Sequence, residues 1–162
     1  MARKYPKLKQ PFDQQLAQAQ KIWDEASNLS DEEKKIDQMA NANRTLTKGF
    51  VGGIQDFERQ RTKIKNLIID VQRADLSPNE RNAAATARDL ANMAIREGER
   101  RLREGTKSIS SANTMVRQIN QDVQNATKGL KRILDTAKKK EKQNQKQNDK
   151  KNGNDRPTTN NR

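Results

Sequence analysis

The sequence predicts an all-α, rod-like protein: a long antiparallel helical hairpin or coiled coil, with arms at about 12–75 and 78–140 and a turn at 75–78. Three observations carry this expectation. The four prolines are Pro6, Pro11, Pro78 and Pro157, so the long interior holds a single strong breaker. Apolar and small residues from Ala91 to Ala137 recur at alternating steps of four and three, which is a heptad period. The segments on either side of the central turn, 12–75 and 78–140, hold 64 and 63 residues and would pair as arms of about 95 Å at 1.5 Å per residue. Composition agrees, because 30% hydrophobic content and five aromatics are too few for an ordinary globule.

In chain order, residues 1–11 form a basic N-terminal segment, and Phe12, Leu16, Ala19, Ile22/Trp23, Ala26 and Leu29 then make an amphipathic stripe. Ser30-Asp31-Glu32-Glu33 offers a capping box and a kink near 30, with Ile36, Met39, Ala40 and Leu46 continuing the apolar side. Gly49, Gly52 and Gly53 predict a second kink at 49–53. Phe50, Ile54, Phe57, Ile64, Ile68 and Val71 form a seam that Arg61 interrupts. Ser77 as N-cap, Pro78 at the first helical position and Glu80 three residues after the cap start the second arm.

The second-arm seam has one mostly large row and one mostly small row that includes Gly98 and Gly105. Glycine costs a helix about 1 kcal/mol relative to alanine, so a neighbouring backbone should need the room. A local break at Gly105-Thr106 competes with the continuous helix. Taking Ser30 and Gly49–Gly53 as true turns gives a three- or four-helix bundle instead. The rod is predicted to span 12–137, followed by a disordered, basic, Lys/Asn/Gln-rich tail over 138–162, which lacks any residue able to build a core.

The net charge of +13 sits at the ends, with +4 over residues 1–10 and +6 over 137–162, while 11–40 is net −4. In a simple hairpin both ends meet, and their charges merge into one patch. Arg3, Lys4, Lys7 and Lys9, together with Lys138, Lys139, Lys140, Lys142, Lys146, Lys150 and Lys151, are therefore the candidate phosphate contacts. The tail has no aromatic side chain for base stacking, so the expected binding is independent of nucleic-acid sequence. Ile95, Leu102, Ile109, Val116, Ile119, Val123, Leu130 and Ile133 are the candidate seam for a homo-oligomer or larger assembly.

Without cysteine or histidine, thiol chemistry, the usual zinc sites and histidine acid–base catalysis are excluded. Asp31-Glu32-Glu33 with Asp37 reads as a helix start rather than a metal site. Lys107-Ser108 and Gly49-x-x-Gly52-Gly53 lack the surroundings of a nucleophile or a phosphate loop. The run Arg96–Glu104 reads as a self-compensated face with Glu97–Arg101 and Glu99–Arg103 pairs. No enzyme activity and no cofactor are expected.

The expected role is a non-enzymatic structural or assembly protein that associates with nucleic acid through its termini, as inside a virion or nucleoprotein complex. The alternative is a scaffold whose seam docks on partner helices while its tail binds an acidic protein surface. No signal peptide or membrane span is visible, which predicts a cytoplasmic or virion-internal location. A membrane partner is not expected, the one motif toward it being the basic N-terminus with Tyr5 and Leu8.

Overall fold

Breaker-poor sequence and heptad spacing yield five helices and, among the described residues, no strand. The structure is a computed structural model that describes residues 3–153, with side chains described from Arg3 to Lys146. A 3₁₀ turn, Pro6–Leu8, leads into α1 (Lys9–Ser27), α2 (Glu32–Lys48), α3 (Phe50–Arg73), α4 (Pro78–Glu104) and α5 (Ile109–Gly153).

Each boundary has a local cause. Asp31, one residue later than the expected Ser30, caps α2 by accepting the Lys34 N–H at 3.2 Å. At Gly49 the chain bends from α2 into α3, and a Cβ on Gly52 would lie 1.7 Å from the Thr47 carbonyl oxygen, so only glycine fits that bend. The central start forms as read: the Glu80 carboxylate accepts the Ser77 N–H at 2.9 Å and the Ser77 hydroxyl at 2.7 Å. α4 stops at Gly105, whose φ of +65° favours glycine, and a Cβ there would also lie 2.6 Å from the Lys7 carbonyl oxygen. Ser108 then starts α5, its hydroxyl accepting the Ser111 N–H at 3.2 Å.

The single long hairpin is therefore corrected. The second arm breaks at 105–108 and folds back, so α4 and α5 run antiparallel, with Arg101 on Asp122 at 3.4 Å and Lys140 on Glu80. α3 runs parallel to α5, with Gln60 bonded to Asn120 at 3.0 Å and Asn120 donating to the Gly53 carbonyl at 2.8 Å. The main body is thus a three-helix bundle of α3, α4 and α5. The expected kink near 30 is a full reversal that makes α1 and α2 a separate hairpin, tied by Gln15 donating to the Thr45 and Leu46 carbonyls. No residue between 13 and 49 belongs to the main core.

The candidate oligomer seam is also corrected. Ile95, Leu102, Val116, Ile119, Val123 and Leu130 are buried within the chain's own core, and Ile109 and Ile133 are half-buried. The apparent continuity of that seam has a simple origin. Leu102 and Ile109 are seven residues apart, so the heptad phase survives a loop that reverses the chain. The small row does serve close approach: a Cβ on Gly98 would lie 2.8 Å from both Phe57 and Ile119.

The tail departs from expectation as well. α5 continues through Gly153, so 138–153 is helical rather than disordered, and the remainder of the expected tail, 154–162, lies outside the described residues. Between Lys138 and Asn152 there is no proline, glycine or β-branched residue, and the segment extends a helix already nucleated by packing up to Ala137.

Candidate nucleic-acid interface

Among the described residues the two basic ends do not meet. Lys7 lies against Gly105 at the α4–α5 turn, whereas Lys140 reaches Glu80 at the opposite end of the bundle. Ile109 and Lys140 are separated by about 46 Å of helix. Among the described residues the merged patch expected from a hairpin is accordingly absent, because α5 carries Lys138–Lys146 away from the N-terminal segment.

Of the N-terminal cations, Lys4 holds that segment to the bundle. Lys4 pairs with Glu58, and the Tyr5 hydroxyl donates to the same carboxylate at 2.8 Å. Arg61 bridges Glu58 and Glu99, both at 3.2 Å, joining α3 to α4. Burial alone would raise the Glu58 pKa, but the bonds from Lys4 and Tyr5 and the charges of Lys4 and Arg61 together lower it. Burial, followed by the bond to Glu58, pushes the Tyr5 hydroxyl up. Lys9 pairs with Asp13 on α1, and Arg3 is exposed. On α4, Glu97 meets Arg101 at 2.9 Å and Glu99 meets Arg103 at 3.8 Å, so the densest charge run is largely internally paired.

A different set of cations comes together where α3 and α5 lie side by side. Arg59 and Lys63, one turn apart on α3, face Lys128 and Lys131 on α5 across an open groove floored by Gln60, Ile64 and Thr127. Arg59 shares its charge with Asp56 at 3.3 Å, and Lys128 donates to Asn125 at 3.0 Å. Lys63 and Lys131 have no carboxylate partner among the described residues.

Beyond the groove the lysine row continues along α5. At 100° per residue, Lys128, Lys131, Lys138, Lys142 and Lys146 fall within an arc of about 80°, interrupted by Asp135. Lys138, Lys142 and Lys146 are all exposed, with Lys139 flanking the arc and Lys140 turned toward Glu80. Lys150 and Lys151 occupy helical positions of α5, and their side chains lie outside the described set. The stripe is about 27 Å long, a distance over which duplex DNA presents about 16 phosphates. No aromatic ring lines the groove, which offers positive charge but no stacking surface.

Arg59, Lys63, Lys128 and Lys131 were not among the residues singled out in the sequence. The i, i+4 and i, i+3 spacings of like charge were readable on each helix. The adjacency of two helices some 60 residues apart was not.

Three depressed or paired carboxyls give the fold an acid limit. The bond from Lys140, then those from Ser77, hold Glu80 down at about 2, and the bonds from Arg100 and Arg101 hold Glu97 at about 2. Glu58 is lowered as well. Each stays ionised in the folded chain where the unfolded chain already takes up a proton, so falling pH favours unfolding. The melting temperature is expected to be flat from neutral pH to about 5, then to fall between about 4.5 and about 2. Circular dichroism melts across that range check it, and Glu58→Gln should lower the neutral-pH value while making the acid fall shallower.

Among the described residues no helix is long and apolar enough to cross a membrane. No family model, curated protein or solved structure matches this chain.

Proposed function

We propose that this chain is a non-enzymatic assembly protein that holds a nucleic-acid backbone, independent of base sequence, along the α3–α5 groove and the α5 extension. The observation that carries this reading is the cation stripe from Arg59 and Lys63 through Lys128, Lys131, Lys138, Lys142 and Lys146. A lysine row on a helix that projects beyond its bundle can follow a phosphate backbone, releasing condensed counterions as it does so. The reading suits a component packed against the genome in a virion or nucleoprotein particle. Docking of the heptad seam on partner helices loses support, because all of that seam but Ile109 packs in or against the chain's own core.

Binding of labelled single- and double-stranded oligonucleotides across a salt series tests the proposal, using the full chain and a chain ending at Ala137. No residue after Ala137 joins the described core, so the shortened chain keeps its bundle. Ending the chain at Ala137 removes Lys138, Lys142 and Lys146 together with the other cations of 138–162, so the duplex log–log salt slope should flatten by at least about 2.7, at about 0.9 for each of those three phosphate contacts. Absence of binding by the full chain at low salt would rule the reading out and leave the charge to an acidic protein surface.

A further inference from the structure

The α1–α2 hairpin buries little that could hold it together. Its buried residues are Pro11, Gln15, Ala19, Ala26 and Ala42, while Leu16, Trp23, Leu29 and Ile36 remain 48%, 41%, 38% and 67% exposed. These exposed side chains are not scattered. At 100° per residue, Leu16 and Trp23 lie within about 20° of one another on α1. Ile36 and the half-buried Met39 fall on the same side of the antiparallel pair, and Leu29 sits in the loop between the helices. Single exposed apolar residues are ordinary, but a helical pair with an alanine interior and its large side chains on one outer face is half of a four-helix bundle.

We infer that this face is a dimerisation surface whose occupant is the hairpin of a second copy, packed antiparallel about a two-fold axis. Two features select that occupant. The hairpin is about 28 Å long and about 20 Å wide, and a ridged face of that size presents on the order of 800 Å² per partner, as a standard stable interface requires. The hairpin is also electrically polar along its length. Toward the closed end Asp24, Glu25, Asp31, Glu32, Glu33 and Asp37 outnumber Lys21, Lys34 and Lys35, whereas at the open end Lys7, Lys9, Arg44 and Lys48 outnumber Asp13, so the two ends differ in net sign. A parallel pairing sets like charges together, while the antiparallel pairing lays each acidic tip over the other copy's basic base. Isologous symmetry then places the two nucleic-acid stripes on one particle.

Trp23, the single tryptophan, reports on the contact directly. Sedimentation equilibrium of the nuclease-treated full chain, with tryptophan emission followed from about 1 to about 100 µM, should show a dimer and a blue shift with rising concentration. Leu16→Asp with Ile36→Asp should raise the dimer dissociation constant at least about tenfold without loss of helical dichroism, since both side chains are exposed in the single chain. Glu32→Lys/Glu33→Lys and Arg44→Glu/Lys48→Glu should each weaken self-association, and mixing the two variants should restore a heterodimer. A chain that stays monomeric with unchanged emission at the highest concentration overturns the inference. So does a dimer that survives the aspartate substitutions, or a charge-swapped mixture that gains nothing. None of these readouts involves nucleic acid, so failure here leaves the proposed binding function standing, and the reverse.

Discussion

Phe57→Ala is expected to cost about 3–5 kcal/mol, a large part of the roughly 5–15 kcal/mol that holds a domain of this size together. Phe57 is fully buried on α3, and its ring occupies the space that Gly98 leaves open on α4, where Ile119 of α5 also arrives. All three helices of the main bundle therefore meet on one side chain. Truncation to alanine leaves a cavity at that junction, and a backbone held apart by three long helices cannot collapse locally to fill it. Urea unfolding followed by circular dichroism would measure the loss as a lower midpoint at similar slope. Leu90→Ala, at a half-exposed position on α4, is the control and should change stability by no more than about 0.5 kcal/mol. Equal effects at both positions would mean that the three-helix junction is not the centre of the fold.

Lys63→Glu combined with Lys131→Glu should weaken duplex binding on the order of 100-fold at low salt, or about 2.7 kcal/mol, and flatten the salt slope by about 1.8. These two cations face the groove from different helices and have no carboxylate partner among the described residues, so their charge is available to a phosphate. Reversal also leaves glutamates beside Asp56, turning part of an attractive wall into a repulsive one. Fluorescence anisotropy with a labelled duplex reads both quantities. Lys21→Glu with Lys34→Glu makes the same change in net charge on the α1–α2 hairpin. If that pair reduces binding as much, the interaction follows net charge alone and the groove has no special part in it. Single strands should lose slightly less slope per contact, because their counterion condensation is weaker.

How much could be read in advance is visible at particular residues. Ser77, Pro78 and Glu80 specify a helix start through contacts within four residues, and the structure has that start where the sequence placed it. The acidic turn after Ser30 was equally local, although Asp31 is the residue that caps. Gly105 and Ser108 carried comparable stop and start signals, but the regular heptad through Leu102 and Ile109 argued for continuity. Periodicity records which face of a helix is apolar, and it is silent on whether the next turn continues or folds back in phase. The same silence made a buried core look like an oligomer seam. Of the candidate interface, the α5 lysines were legible as a basic run, whereas Arg59 and Lys63 were ordinary surface cations until α3 was laid beside α5.

The sequence by itself determined that the chain is helical, where most helices begin, and that its positive charge collects toward its ends. Those properties depend on propensity, capping and composition, which act over a few residues. Only the tertiary structure decided that α5 turns back to lie between α3 and α4, that Lys7 and Lys140 fall at opposite ends of the bundle, and that basic side chains from distant segments share one groove. Those outcomes depend on which apolar faces bury against which, and several pairings of similar heptad stripes satisfy the same pattern until the packing of Phe57, Gly98 and Ile119 selects one.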